Sequence, residues 1–293
     1  MAIEPMQDAN SFPDGLPKPS ALRVAIIRAA HQLLDRPLVF EDSLALRILG
    51  SEEVERLHRD PFRYNAPALL SLRASLVVRS RLAEDEWARA RMRGVRQYVI
   101  LGAGLDTFAY RDQPNDGSRI YEVDLPSMQR WKRERLRTTG IGEPASVTFV
   151  PTDFESSTLA DALANAGFYR NEPAFFAWLG VTMYLEQSAF LNTIQFIGSL
   201  AAGSGVVFDY AISPELLSAR ERRGREIFAS RGAEYGEPWK LFFAPSDLAQ
   251  TLHSNGFNEV QDFGPDALQE RYLAGRTDGL RKSGGSHLVY AKV

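Results

Sequence analysis

The segment Gln97-Tyr-Val-Ile-Leu-Gly-Ala-Gly-Leu-Asp106, followed by Tyr121-Glu-Val-Asp124, constrains the fold more than any other part of the chain. It reads as a buried strand, a glycine turn, a helix start and a second strand ending in an acid. In a βαβ unit such glycines let the backbone approach a ligand closely, and such an acid accepts hydrogen bonds from a ribose. Gly104 and Asp124 stand 20 positions apart, about the length of one crossover and its return strand. A nucleoside-type cofactor is therefore expected.

The end of the turn narrows the choice. A dinucleotide fingerprint carries a third glycine beside a pyrophosphate, whereas here Phe108 and Ala109 follow Asp106 and Thr107. A carboxylate at Asp106 would repel a pyrophosphate at that helix N-terminus and suits a cofactor with a cationic end. S-adenosylmethionine, with an ammonium and a sulfonium, has that character. Asp106 or Thr107 also serves to cap the helix that follows, and the two roles are compatible.

From Gln97 onward strands and helices alternate, which predicts a parallel sheet with helices on both faces. Strands are expected at 97–101, 119–123, 146–150, 174–179, 205–210, 259–263 and 287–292, with helices starting near Thr107, Ser127, Thr158, Glu186 and Pro245. Ahead of the sheet, amphipathic spacing predicts helices from Ser20 to Pro37, over 41–57 and over 68–91. This front end is too small to stand alone and is expected to lie over the cofactor crevice. The stretch 213–239 exceeds an ordinary connection and reads as a substrate cap; 264–285, rich in glycine and arginine, is a second long connection. The expected organisation is a tail (1–19), then one domain with a helical lid (20–95), a core (96–212 and 240–293) and a cap insertion (213–239).

Composition bears on partners and compartment. The chain has no cysteine, which removes disulfides, thiolate metal sites and thiol nucleophiles together. No run approaches the ~18 apolar residues of a membrane span, and the net charge of −3 argues against nucleic acid. The arginine-rich runs 73–96 and 130–137 fall on expected helices, where such charges are commonly solvated faces. A cytoplasmic protein without membrane or nucleic-acid partner is expected.

At these residues the chain resembles the leucine carboxyl methyltransferase-like, S-adenosylmethionine-dependent methyltransferases, which include polyketide-type O-methyltransferases. The resemblance rests on Leu101-Gly-Ala-Gly-Leu-Asp-Thr107 with Tyr110-Arg111, Tyr121-Glu-Val-Asp-Leu-Pro126, Pro151-Thr-Asp-Phe154, Trp178-Leu-Gly-Val-Thr-Met-Tyr-Leu185 and Gly236-Glu-Pro-Trp239. It covers roughly Ser20 to the C-terminus. It implies an α/β Rossmann-like class I methyltransferase sheet, seven-stranded and mostly parallel with the last strand antiparallel. By the same resemblance Gly102, Ala103 and Gly104 face the methionine part of the cofactor, and Asp124 with Leu125 holds the ribose. Asp153 and Phe154 read the adenine, and Arg79 pairs with the cofactor carboxylate, with Arg81 as the alternative. A planar guanidinium suits a carboxylate because it can bind it bidentately. Many members carry a glutamate after the fourth strand, where this chain has Leu179, so the cofactor ammonium must find other acceptors.

Methyl transfer from a sulfonium needs alignment and exclusion of water, and needs a base only if the acceptor is protonated. None of His31, His58, His253 and His287 follows the first, fourth or fifth strand. A carboxylate acceptor, with a pKa near ~4, needs no base. For a phenol the strand-end options are Tyr184, Tyr210 and Asp209. Arg111 and Arg271 are candidates to hold an anionic acceptor. The expected pocket is largely apolar, walled by Phe108, Tyr184, Tyr210, Trp239 and Phe242. The acceptor is expected to be a small molecule or peptide, and the helical insertion serves equally well as a homodimer surface. No His/Asp/Glu spacing suits a metal site. A nicotinamide-dependent oxidoreductase and a silent cofactor-binding module remain as alternatives.

Overall fold

The computed structural model describes residues 18–111, 116–153, 158–234 and 236–293, with Ile227, Phe228 and Arg231 described in their backbone only. Nearly all of the expected tail, as well as Phe154, lies outside these residues.

The strands are β1 (Gln97–Leu101), β2 (Arg119–Asp124), β3 (Val147–Pro151), β4 (Ala174–Trp178), β5 (Gly205–Ala211), β6 (Glu259–Phe263) and β7 (Ser286–Lys292). All residues of β1, β4 and β5 are buried, as continuous apolar runs should be when a parallel sheet is covered on both faces. The seven form one sheet in the order β3-β2-β1-β4-β5-β7-β6. Only β7 runs antiparallel to its neighbours, so the expected seven-stranded, mostly parallel sheet with its last strand antiparallel is present. The chain leaves β1 toward β2 and β3, then crosses back to β4 on the other side of β1. That reversal opens a crevice at the carboxyl ends of β1 and β4.

Ten α-helices accompany the sheet among the described residues: α1 (Pro19–Leu34), α2 (Ser51–Arg59), α3 (Pro67–Met92), α4 (Phe108–Arg111), α5 (Pro126–Thr138), α6 (Leu159–Asn165), α7 (Gln187–Gly198), α8 (Ala219–Glu234), α9 (Pro245–Ser254) and α10 (Pro265–Leu273). Side chains alternate across each strand, and two cores result. On one face Tyr98, Ile100, Phe175 and Ala177 pack with α1, α3 and α4. On the other Val99, Leu101, Phe176, Trp178 and Phe208 pack with α6, α7 and α9. The front-end helices thus belong to the first core. Trp87 of α3 stacks on Tyr98 with centroids 4.7 Å apart, and Phe108 meets the same ring edge-on at 4.8 Å. Burying a single side chain such as Phe175 is worth about 1.5–3 kcal/mol, so α3 is anchored to the sheet. No helix among the described residues is long and apolar enough to cross a membrane.

A buried polar knot ties α1 to α3. Arg73 donates to Asp35 through Nε at 2.7 Å and Nη2 at 2.9 Å. His31 Nδ1 lies 2.6 Å from the same carboxylate, while its Nε2 accepts the Val39 and Phe40 amides. That pattern sets the ring proton on Nδ1. Burial alone would raise the Asp35 carboxyl, but the bonds from His31 and Arg73 outweigh it and hold it below the usual range.

Two local expectations are corrected. Residues 41–57 are not one helix: turns and a short 3-10 turn (Arg47–Leu49) precede α2, with a break at Gly50. Gly50 has φ +80°, and a Cβ there would come within 2.4 Å of an Arg135 nitrogen. The second long connection, 264–285, contains α10, which starts at Pro265 and buries Leu268 and Leu273. The arginine run 73–96 is also not a uniform solvated face, because Arg73 is buried against Asp35 and the partly buried Arg79 pairs with Asp209.

Candidate active site

A cavity of about 1370 Å³ occupies the crevice at the carboxyl ends of β1, β2, β4 and β5. Its floor is the glycine turn. Gly102 and Gly104 have φ of +67° and +44°. A Cβ on Gly102 would lie 2.3 Å from Val181 Cγ2, so only glycine lets the turn sit against the segment after β4. The amides of Gly102 and Ala103 donate to Val123 O, while the Gly104 amide donates to Asp124 Oδ2 at 2.6 Å. The Leu125 amide donates to Asp124 Oδ1 at 2.7 Å. The residues of the sequence spacing therefore touch: the acid closing β2 braces the turn that follows β1. Burial pushes the Asp124 carboxyl up, against these two amide bonds. Each of its oxygens keeps acceptor capacity, since a carboxylate offers about four lone-pair sites. Leu125 and Asp153 line the cavity beside it.

The methionine-side candidates form a second cluster. Arg79 Nη1 donates to Asp209 Oδ2 at 2.9 Å, and the Gly180 amide donates to Asp209 Oδ1 at 2.5 Å. Gly180 has φ +74°, and a Cβ there would fall 2.8 Å from the Arg79 guanidinium nitrogens. Nε and Nη2 of Arg79 have no protein partner among the described residues. The alternative Arg81 pairs with Asp85 instead and does not line the cavity. Leu179, in the place of the family glutamate, does line it. Asp209 from the adjoining strand brings a carboxylate to the same end of the sheet. Sequence reasoning singled Asp209 out only as an optional base; the signal available was an acid inside an otherwise apolar, seven-residue buried strand.

Asp106 caps α4 through the Phe108 amide at 2.7 Å and also faces Arg28 Nη1 at 3.2 Å. Burial would raise its carboxyl, but Arg28 and Arg111 outweigh it and hold it below the usual range. The protein thus supplies a cation to Asp106 from α1. Nearby, burial pushes Glu84 up to about 7 despite its pairing with Arg111.

Several expected site residues are not at the cavity. Arg111 is spent on Asp42 at 3.2 Å and Glu84 at 2.5 Å, because the one-turn α4 sets it against α3 and the loop after α1. Arg271 pairs with Glu86 at 3.2 Å. Tyr210 faces the second core and donates to Asp262 at 2.7 Å; burial first, then Asp262, pushes its phenol well above the usual value. Phe108 packs on Tyr98, and Phe242 lies beneath Arg225. Tyr184 and Trp239 do line the cavity, and burial, with Glu237 adding to it, pushes the Tyr184 phenol up to about 12. The cavity is largely apolar in its lining, as expected, but its polar groups are more numerous than expected. Charges of both signs stand on its walls, Arg28, Arg79, Asp106, Asp209, Glu237 and Lys282 among them.

The cap and the front end meet over this space. Ser20 donates to the buried Glu237 at 2.8 Å, and the Lys240 amide donates to Met183 O at 2.7 Å. Pro19 of α1, Leu76 of α3, and Arg220 and Arg225 of α8 line the cavity from above the sheet.

The comparisons agree with this geometry. The leucine carboxyl methyltransferase family model matches residues 21–198. YktD of Bacillus subtilis (strain 168) is 30% identical over 295 residues, covering 93% of this chain and 96% of its own. Its name assigns S-adenosyl-L-methionine-dependent methyl transfer and gives no acceptor. A Mycolicibacterium paratuberculosis (strain ATCC BAA-968 / K-10) protein with the same kind of name is 31% identical over 257 residues, covering 81% and 78%. A solved DUF574 family protein from Streptomyces avermitilis shares the fold, with TM-score 0.54 and 15% identity over 84% of this chain and 94% of that one. The residues present fit the cofactor. Asp124 has acceptor capacity for a ribose diol, Arg79 keeps Nε and Nη2 without a protein partner among the described residues for a carboxylate, and Gly102 and Gly104 put no Cβ in the way. The nicotinamide reading falls, and the chain belongs to the leucine carboxyl methyltransferase family as an S-adenosylmethionine-dependent methyltransferase.

Proposed function

We propose that the enzyme methylates a carboxylate oxygen of a small-molecule or peptide acceptor. Bound S-adenosylmethionine supplies an activated methyl group, so the protein's task is to align the acceptor and exclude water. The observation that carries the reading is the state of the strand-end bases. Tyr184 is pushed up to about 12, Asp209 is engaged by Arg79 and Gly180, and no histidine lines the cavity among the described residues. An acceptor already ionised at neutral pH needs none of them. A second reading, methylation of a hydroxyl, is favoured by one group. Glu84, raised to about 7, lines the cavity and has the pKa of a working base.

The test uses S-adenosylmethionine labelled in its methyl group with a panel of carboxylic acids and phenols. A methyl ester releases volatile methanol on mild base treatment; an ether does not. Base-labile product supports carboxyl transfer, and exclusively base-stable product refutes it.

A further inference from the structure

Four lysine and arginine residues are buried as whole residues among the described residues: Arg28, Arg73, Lys132 and Lys282. Three sit against a carboxylate: Arg28 on Asp42, Arg73 on Asp35 and Lys132 on Glu122. Lys282 does not. Its Nζ donates to Ser286 O and lies 3.3 Å from Ser286 Oγ and 3.4 Å from Ser283 O. Those are neutral groups, and no ion pair forms with it among the described residues. It lines the cavity, and Arg220 and Arg281, both solvent-exposed, line the same space.

A buried ammonium without a counter-charge is costly. Burial pulls Lys282 down to about 8; Asp209 and Asp262 oppose this, while Arg79 adds to it. Both acids are engaged elsewhere, Asp209 by Arg79 and Gly180, and Asp262 by Tyr210 and His287. At neutral pH Lys282 is still mostly protonated, so the cavity wall holds a buried positive charge without an ion-pair partner among the described residues.

The sheet order sets it apart from the nucleoside end. The ribose acid ends β2 and the glycine turn follows β1, whereas Lys282 lies just ahead of β7, whose Ser286 pairs with Ala211 at the end of β5. Lys282 is thus on the side of β4 and β5 away from the nucleoside end. We propose that Lys282 is the anion anchor of the acceptor site, its ammonium keeping Ser286 O and exchanging the long contacts to Ser286 Oγ and Ser283 O for a charge-assisted hydrogen bond to the acceptor carboxylate. This rests on the carboxylate reading of the function. Lys282 holds the acceptor and takes no part in bond making.

Binding without turnover separates the two ideas. Wild type, Lys282→Met and Lys282→Arg, each saturated with S-adenosylhomocysteine, are titrated by calorimetry with decanoate, phenylacetate, naphthoate and their primary amides. The expected result is an acid bound by wild type more tightly than its amide. That acid should weaken at least about tenfold in Lys282→Met and recover in Lys282→Arg, with amide and S-adenosylhomocysteine affinities unchanged. The anchor is overturned if no acid outbinds its amide, if Lys282→Met binds the acid as wild type does, or if S-adenosylhomocysteine affinity is what falls. A Lys282-dependent acid that yields only base-stable methylated product upholds the anchor and sinks carboxyl transfer.

Discussion

Removing the Asp124 carboxylate tests the cofactor site and the turn together. In Asp124→Ala the amides of Gly104 and Leu125, now bonded at 2.6 and 2.7 Å, lose their acceptor. Each partly buried amide left unpaired costs about 1–3 kcal/mol, less where water reaches it through the cavity. The same carboxylate has capacity for two ribose hydroxyls, at about 1.5–3 kcal/mol for each bond to a charged acceptor. Even with heavy compensation, S-adenosylhomocysteine affinity should fall at least about tenfold, since about 1.4 kcal/mol is one decade. Asp124→Asn separates the contributions. Its one carbonyl oxygen can serve one of the two amides, so stability should recover in part while affinity stays low. Calorimetric titration with S-adenosylhomocysteine, beside urea unfolding of the free proteins, reads both quantities. Asp124→Ala binding within about twofold of wild type, with an unchanged unfolding midpoint, would refute the role given to this acid.

Three further outcomes follow from the geometry. Arg73→Met strips Asp35 of a buried bidentate partner and should destabilise the protein by about 3–5 kcal/mol, read by urea unfolding with S-adenosylhomocysteine affinity measured separately. Glu84, raised from its ordinary 4.5 to about 7, contributes stability that is full below pH 4.5 and lost as pH rises through 7. Glu84→Gln should accordingly flatten the stability profile across that window, and an unchanged slope in pH-dependent unfolding would contradict the burial of this carboxyl. Tyr184→Phe should leave kcat within about threefold if the acceptor is a carboxylate, because a phenol held near 12 is not serving as a base; a loss of about a hundredfold or more in kcat would count against that.

Much of the fold is legible because its determinants are local. The apolar runs of β1, β4 and β5 are continuous in sequence, and the strand boundaries fall within a residue or so of expectation. The glycine turn and its acid needed only a spacing of 20, which the crossover converts into contact at 2.6 Å. Gly50 and α10 were less legible, since one interrupted a helical pattern with a positive φ and the other formed among glycines and arginines.

Where individual charges end up was decided by the tertiary structure. Tyr210 and Asp209 are neighbours in sequence, yet the two-residue period of a strand sends them to opposite faces, and only the sheet order says which face opens on the cavity. Arg111 lies beside the glycine motif but is drawn off by Asp42 and Glu84. Arg79 reaches the site with a carboxylate 130 positions away in the chain. Lys282, in a segment that read as plain connection, arrives at the cavity wall because β7 pairs antiparallel with β5. A strand or a turn follows from the residues within it. An ion pair or an unmatched buried charge follows from which distant segments the closed sheet brings together.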